Sequence, residues 1–366
     1  MNKRRWETLL LAGLLLIPLA ACGRKDPGGV SSSQPGGTSS SGSGEPSVSV
    51  IAPVEDPWNG PVNPLTGEQA EEELSARRPY AVMFNNLRKA LPQIGVSRAD
   101  VIYEIVAEGG ITRMMAVFQD LEGVGDMGSI RSARDYYASI ASGHDAIYVH
   151  AGGSPQAYQA FSDLKMSNID FVNGHYYNMC WRDPERKKTA GLEHSLLTSS
   201  EKILEHLPQK FAREHGEDYE VGWTFSEDPP AGGEEASRLT VPFSKYKTGS
   251  FTYDPETGLY RIDQHIDGKD LPYTDGETQV SVRSVLVLYT DVNRIKGDSA
   301  GRMEVRTTGT GDGLLLRDGQ LYEITWRRDS EGVCYSFLDP SGQPIPLAVG
   351  PSYVNIVSTD AQVEWE

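Results

Sequence analysis

The stretch Asp100-Val-Ile-Tyr-Glu-Ile-Val-Ala-Glu108, Gly109-Gly110, Ile111-Thr-Arg-Met-Met-Ala-Val-Phe118 has the pattern of a β-hairpin. Two-residue hairpin loops favour glycine because their turns need positive φ. This turn predicts that residue 108 pairs with 111, 106 with 113 and 104 with 115. Side chains alternate across a strand, so Glu104, Glu108 and Arg113 would share one face. The other face is apolar and predicts a core contact through Val101, Tyr103, Ile105, Ala107, Thr112, Met114, Ala116 and Phe118.

A charged cluster follows from this hairpin. Arg113 would lie diagonal to both acids and within reach of either. The segment Ser129-Ile-Arg-Ser-Ala-Arg-Asp135 leads into a predicted helix over 132–142. Arg131 and Arg134 are three residues apart, which places them on one helix face. Two acids and three arginines therefore converge in the strongest ligand-binding prediction of the chain.

A second part of the predicted site lies after the strand Ala146-Ile-Tyr-Val-His150. Ser154 is a good N-cap and Pro155 suits the first helical position, so a helix is predicted over 155–165. A strand, a Gly-Gly loop and a helix N-terminus together can bind an anion or a polar ligand. His150 would point near that loop. The alternative is a tight turn beside a core histidine whose nitrogens are already hydrogen-bonded.

Two more polar residues complete the predicted ligand-binding set. Asn85 ends the strand 79–84, where adjacent asparagines form a turn or sit at the mouth of a site. His194 precedes Ser195, a weak signal for a nucleophile and its base because sequence neighbours rarely face each other. No G-x-S-x-G elbow is present.

The N-terminus has the pattern of a secretory signal peptide over 1–21. Three basic residues precede a short apolar run, and Leu19-Ala20-Ala21-Cys22 resembles a bacterial lipobox. That resemblance implies lipidation of Cys22. The apolar run is shorter than the roughly 20 residues that a transmembrane helix needs. The Gly/Ser/Pro-rich linker over 22–57 cannot bury a core and is predicted to be disordered.

The predicted fold class is α+β. An N-terminal mixed α/β domain built on the central hairpin is predicted over 58–225, followed by a connector over 226–238. A mostly β C-terminal domain follows over 239–366, as a small sandwich or barrel. Turn signals at Asp254 to Gly258 and at Asp318-Gly319 separate short strands there.

The charge balance excludes one class of partner. The formal net charge of −17 becomes −19 when the signal peptide removes three basic residues and one acid. Nucleic-acid binding rests on neutralising phosphates with basic residues, so no nucleic acid is expected. No cofactor motif and no metal-ligand spacing are present, so neither is predicted. Cys180 and Cys334 could pair in an exported protein, but they fall in different predicted domains.

Six segments of the first half form an ordered set of motifs: Asn63-Pro-Leu-Thr-Gly67, Arg78-Pro-Tyr-Ala-Val-Met-Phe-Asn85, Ser97-Arg-Ala-Asp-Val-Ile-Tyr-Glu104, Glu108-Gly-Gly-Ile-Thr-Arg113, Ile130-Arg-Ser-Ala-Arg134 and Val149-His-Ala-Gly-Gly-Ser-Pro155. In this order they resemble the YerB-like family of bacterial lipoproteins. The resemblance implies a lipidated two-domain extracytoplasmic protein without an established activity. The family typically has His-Asn where this chain has His194-Ser195, so no role of that asparagine carries over.

Three functional hypotheses remain open at this point. The first is a membrane-anchored module, held by lipid at Cys22, that binds an envelope glycan, a small polar ligand or an envelope protein. The second is a cell-envelope hydrolase that uses Glu104 or Glu108 as its acid/base group, with one of the arginines on the developing charge. Two carboxylates about 5–10 Å apart suit glycoside hydrolysis, whereas positions i and i+4 of one strand lie about 13 Å apart. The third is a purely structural ion network that fixes the hairpin.

Overall fold

The computed structural model describes residues 60–366 except 218, 220 and 221. The predicted signal peptide, Cys22 and the linker lie outside the described residues. Four α-helices occur among the described residues, together with short 3₁₀ turns. The helices are α1 Asp135–Gly143, α2 Pro155–Asp163, α3 Pro184–Thr189 and α4 Ser200–His206.

Strands account for most of the regular structure. In the first half they are β1 Tyr80–Asn85, β2 Val101–Val106, β3 Thr112–Phe118, β4 Asp126–Gly128, β5 Ile147–His150, β6 Asn168–Asp170, β7 Cys180–Arg182, β8 Leu196–Ser199 and β9 Phe225–Ser226. In the second half they are β10 Glu234–Glu235, β11 Arg238–Ser244, β12 Lys247–Asp254, β13 Leu259–Ile266, β14 Lys269–Pro272, β15 Thr274–Asp275, β16 Thr278–Gln279, β17 Ser281–Val282, β18 Ser284–Thr290, β19 Val292–Arg294, β20 Met303–Val305, β21 Gly309–Arg317, β22 Gln320–Arg328, β23 Ser336–Leu338, β24 Leu347–Ala348, β25 Ser352–Ser358 and β26 Glu364–Trp365.

One mixed sheet of eleven strands runs through both halves of the chain. Its order is β10-β22-β21-β18-β25-β2-β3-β1-β5-β6, with β23 on β22. The parallel pairing of β2 with β25 joins the two halves, with Glu104 beside Asn355. Two strands in or next to the predicted connector also pair, β9 with β24 and β10 with β22. The two predicted domains therefore share a sheet, and their exact boundaries stay a prediction.

Both faces of the central hairpin are buried. A six-stranded sheet, β14-β13-β12-β11-β26 with β17 on β13, packs on one face, where the rings of Phe251 and Tyr353 lie 5.1 Å apart. Tyr137 of α1 and Phe161 of α2 are buried with side chains of the opposite face. The predicted α+β class is confirmed, with a mostly β second half. Two packed sheet layers bury far more apolar surface than a hairpin that has one face exposed to solvent.

The predicted hairpin register is wrong by one residue. Ile105 pairs with Arg113 and Glu104 with Met114, so the loop contains three residues, Glu108-Gly109-Gly110. Gly109 and Gly110 have φ of 72° and 77°, as a tight loop needs. A slip of one residue moves each side chain to the other face. Glu104 and Arg113 therefore lie on opposite faces, and Glu108 lies in the loop.

Turns and helix starts follow the sequence more closely. The predicted turn at Asp318-Gly319 is confirmed, with positive φ at both residues and Arg317 paired with Gln320. Ser154 caps α2 by accepting a hydrogen bond from the Ala157 amide, as predicted. The helix predicted over 132–142 begins later, because Arg134 is its N-cap. Arg131 therefore lies outside the helix, and the predicted shared helix face is wrong.

Candidate functional site: the arginine cluster

Two arginines converge on one carboxylate at the tip of the hairpin. Arg134 Nε lies 2.5 Å from Glu108 Oε1, and Arg113 lies 3.4 Å from Glu108 Oε2. Arg113 also donates to the Ser132 carbonyl at 2.6 Å. We call Arg113, Arg131 and Arg134 the arginine cluster. The two charges on either side of Glu108 lower the pKa of that carboxyl, although burial opposes the shift.

Arg113 lies in unusual surroundings for a guanidinium. Its side chain is 6% exposed, and its Nε–H has no hydrogen-bond partner among the described residues. Burial, followed by the charge of Arg134, lowers the pKa of Arg113 to about 10. The buried hydroxyl of Tyr148 is also without a partner in the described part of the chain. Burial raises the pKa of Tyr148, while Arg113 and Arg134 act in the opposite direction. Two polar groups without a partner among the described residues, the Arg113 Nε–H and the Tyr148 hydroxyl, therefore both lie near the positive charge of Arg134.

A chain of polar contacts connects Arg131 of the arginine cluster with the exposed Glu193 and then with His194 and Asn85. It lies 3.1 Å from Glu193, whose side chain is 61% exposed. Glu193 lies 3.4 Å from His194 Nε2, and His194 Nδ1 lies 2.8 Å from the amide nitrogen of Asn85. Asn85 is paired with Arg113 across neighbouring strands. The fold thus brings Asn85 and His194 to the arginine cluster.

The hydrogen bonds fix the tautomer of His194. The amide oxygen of Asn85 accepts from the Leu87 backbone N–H at 3.2 Å, so its nitrogen donates to His194 Nδ1. The proton of the neutral ring is then on Nε2, facing Glu193. Burial lowers the pKa of His194, which favours the neutral form. Ser195 donates to the Leu192 carbonyl instead of to His194, so the two do not form a nucleophile and base.

His150 and Ser154 have structural partners. His150 is fully buried, with its ring nitrogens at 2.8 Å from the Gly152 carbonyl and 3.3 Å from Asn168. Burial lowers its pKa. The hydroxyl of Ser154 is occupied by the helix cap. The loop itself lies beside the arginines, because Ala133 donates to the Gly152 carbonyl at 2.9 Å.

Glu104 lies in a separate buried cluster on the other face of the sheet. It is 1% exposed and lies 3.0 Å from the equally buried Lys247. It accepts hydrogen bonds from Asn86 at 2.8 Å, from Thr112 at 2.5 Å and from Tyr353 at 2.5 Å. A carboxylate enclosed in this way cannot meet a substrate. The prediction that it lines the site with Glu108 is wrong, and so is the hydrolase geometry built on both acids.

Sequence reasoning missed Lys247 as the partner of Glu104. A signal was available, because Lys247, Gly249 and Phe251 alternate along β12 and therefore share the inward face. The alternation alone does not identify what a buried lysine meets.

Three exposed or half-exposed carboxylates approach each other elsewhere, within 4.8 Å: Glu72, Asp120 and Glu122. Arg77 already lies 2.8 Å from Glu72 and 3.1 Å from Asp120. A side-chain cation therefore balances this group.

Cys180 and Cys334 are both free thiols. None of the helices in the described part of the chain is long and apolar enough to span a membrane.

Comparison with known proteins identifies the family. Residues 65–215 match the N-terminal domain, and residues 239–354 the C-terminal domain, of the protein of unknown function DUF3048. The chain belongs to the DUF3048 family. The family resemblance seen in the sequence is thereby confirmed.

Two findings link this DUF3048 chain to one relative. It is 31% identical over 299 residues to a Bacillus subtilis (strain 168) protein named "Putative lipoprotein YerB", covering 80% of this chain and 85% of the relative. The crystal structure of YerB protein from Bacillus subtilis matches with a TM-score of 0.69 and 27% identity, over 83% of this chain and 99% of that one. This chain therefore shares its fold with a known relative, and that relative is named a putative lipoprotein.

Proposed function

We propose that this protein is held by lipid at Cys22 on the extracytoplasmic face of the membrane and binds an anionic cell-envelope ligand at the arginine cluster. The ligand carries a phosphate or a carboxylate, the groups that guanidinium binds best. The observation that carries the proposal is the Nε–H of Arg113, which is buried near the charge of Arg134 and has no hydrogen-bond partner among the described residues.

Local charge supports an anionic ligand. The chain as a whole has a net charge of −17, yet three arginines lie around Glu108 and Glu193. Two more basic residues lie in this region. The charge of Lys89 acts on Glu193, and the charges of Arg182 and Arg131 act on each other. A local positive patch on an acidic protein attracts anions while the rest of the surface repels them.

A structural network is the second candidate. Glu108 lies within salt-bridge distance of both Arg113 and Arg134, so the cluster also stabilises the loop 108–110. Arg131 separates the two candidates, because the one side-chain ion pair it forms with the described residues is with the exposed Glu193. Surface pairs of this kind contribute about 0–1 kcal/mol to stability.

The test of ligand binding replaces Arg131. The processed lipoprotein in detergent is titrated with a phosphate-bearing wall polymer, with a muropeptide carrying free carboxylates, and with a neutral glycan. We expect one anionic probe to bind and Arg131→Gln to weaken it at least about tenfold, since a hydrogen bond to a charged group is worth about 1.5–3 kcal/mol. Isothermal titration calorimetry gives the dissociation constants.

Arg261→Gln is the matched control, because Arg261 is an exposed arginine 3.5 Å from one aspartate in the six-stranded sheet. The control should bind as the wild type does. Equal affinities of the two variants, or failure of both anionic probes to bind, would contradict the binding proposal and leave the structural network.

The anchor has its own test. Cys22→Ala is expected to release the protein from the membrane fraction or to leave it at precursor size, because the residue that accepts the lipid and directs cleavage before it is absent. Cell fractionation with immunoblotting measures both outcomes. Cys180→Ala, a partly buried free thiol, serves as the control and should stay in the membrane fraction. A Cys22→Ala protein of mature size that stays on the membrane would rule out the lipid anchor.

A further inference from the structure

The buried cluster between the two sheet layers contains an arrangement with reactive chemistry. Lys247 of β12 and Glu104 of β2 are each 1% exposed, with Lys247 Nζ 3.0 Å from Glu104 Oε1. The amide nitrogen of Asn86, just after β1, donates to the same oxygen at 2.8 Å. An amine and a carboxamide therefore flank a single carboxylate oxygen.

The hydrogen bonding of Lys247 is poorly balanced. An ammonium group has three N–H donors, yet Glu104 is the one acidic partner that the described residues offer it. No hydrogen bond of good geometry to Lys247 Nζ is present in the described part of the chain, and Asn86 Oδ1 is likewise unpaired. A buried ammonium without full pairing is costly. A secondary amide at the same place would have one N–H, which Glu104 can accept.

We propose that Lys247 and Asn86 become joined by an intramolecular amide bond, with Glu104 as the proton-transfer group. The neutral amine of Lys247 attacks Cγ of Asn86 and forms a C–N bond. Glu104 takes a proton from Nζ and gives it to Nδ2. The Cγ–Nδ2 bond breaks, and ammonia leaves with the electron pair of that bond. No oxidant or reductant is needed.

The surroundings favour each requirement of this step. Burial lowers the pKa of Lys247, opposed by Glu104, and this increases the share of neutral amine. Thr112 and Tyr353 hold the carboxyl group in place at 2.5 Å each. Lys247 Nζ and Asn86 Nδ2 both contact Glu104 Oε1, at 3.0 Å and 2.8 Å, and this shared contact holds nucleophile and acceptor near each other in place of a bimolecular encounter.

Asn86 is a better acceptor than its neighbour Asn355. Asn355 is paired with Glu104 across β25 and β2, but its amide nitrogen donates to the Leu286 carbonyl at 2.9 Å. That contact holds its leaving nitrogen away from Glu104. The amide nitrogen of Asn86 instead donates directly to Glu104 Oε1, an oxygen of the carboxyl group that is proposed to transfer the proton.

The bond would fasten the six-stranded sheet to the segment that follows β1, independently of redox conditions. Both cysteines among the described residues are free, so no disulfide does this. The link would join Asn86 and Lys247, which are far apart in sequence. Closing a long loop restricts the unfolded chain most.

The test is mass spectrometry of the full lipoprotein after denaturation. We expect the intact mass to be lower by one ammonia than the mass of the processed, lipidated sequence. A tryptic digest of the denatured protein should lack cleavage after Lys247 and contain a branched peptide linking it to Asn86. Lys245, exposed and two residues away, is the internal control and should be cleaved.

Three variants should abolish the branched peptide and restore the sequence mass: Lys247→Arg, Glu104→Gln and Asn86→Ala. Lys269→Arg, on the exposed strand β14, should leave the branch intact. The wild-type digest decides the question even where a variant fails to fold. Linear peptides cleaved after Lys247, with no loss of ammonia, would overturn the proposal and leave an ordinary ion pair.

Discussion

Lys247→Met is expected to lower the free energy of unfolding by about 3–5 kcal/mol, because it leaves Glu104 as a buried charge without its cation. Both side chains are 1% exposed, so water cannot replace the lost partner. In protein that carries the proposed amide bond, the same substitution removes the covalent link instead of a cation. Chemical denaturation followed by tryptophan fluorescence measures the change. It is the largest stability loss expected from a single substitution in this cluster.

The matched control is Lys269→Met, which removes an exposed lysine from the same sheet. Its effect should stay within about 0.5 kcal/mol. Adding Glu104→Gln to Lys247→Met should recover part of the loss, since the buried charge is then gone. Losses of equal size in Lys247→Met and Lys269→Met would show that the pair contributes nothing to stability.

The second large effect is a loss of folding stability at low pH that is due to His144. This residue follows α1 and is fully enclosed, with Nε2 2.8 Å from the Tyr103 hydroxyl and Nδ1 3.4 Å from Cys334 Sγ. Burial, and then the charges of Arg328 and His215, lowers the pKa of His144 to about 3. The folded protein therefore keeps the ring neutral at pH values where the unfolded chain protonates it.

The sign follows from this difference between the two states. A histidine whose folded pKa is lowered contributes stability that is present above about pH 6.5 and is lost as the pH falls towards about 3. Each pH unit in that window costs about 1.4 kcal/mol. Partly buried Asp100 acts in the opposite direction, because loss of contact with water raises its pKa to about 6. The total pH profile therefore mixes both effects.

A comparison of variants isolates the histidine. From pH 7 to pH 4, the stability advantage of the wild type over His144→Gln should shrink by about 3 kcal/mol. His175→Gln, on an exposed loop, should leave the wild-type profile unchanged. A wild-type advantage that stays constant with pH would mean that His144 does not titrate differently in the two states.

Local conformation could be predicted from the sequence wherever one short segment determines it. The N-cap Ser154 and the Asp318-Gly319 turn follow from the preferences of those residues alone. The α+β class and the family also follow from the order of strands, turns and motifs. The signal peptide and the lipidation of Cys22 are read from the sequence too, and they stay predictions.

The hairpin shows where such reasoning fails. Gly109-Gly110 correctly indicated a turn, but a loop of two or three residues fits the same glycines. The usual guide to register is one apolar face, and here both faces of the strands are buried. Because neither face of these strands is exposed to solvent, the pattern of apolar and polar residues could not exclude a shift of the strand register by one residue. Arg113 and Glu108 still approach each other, through the loop instead of along the strand.

The sequence by itself determined the local turns, the helix cap, the acidic net charge and the family, because each depends on neighbouring residues or on composition. Only the tertiary structure decided that Glu104 meets Lys247, that Arg131 meets Glu193, and that β2 pairs with β25. These contacts join segments far apart in the chain. Their geometry depends on how two sheet layers bury both faces of one hairpin, and no short-range preference encodes that.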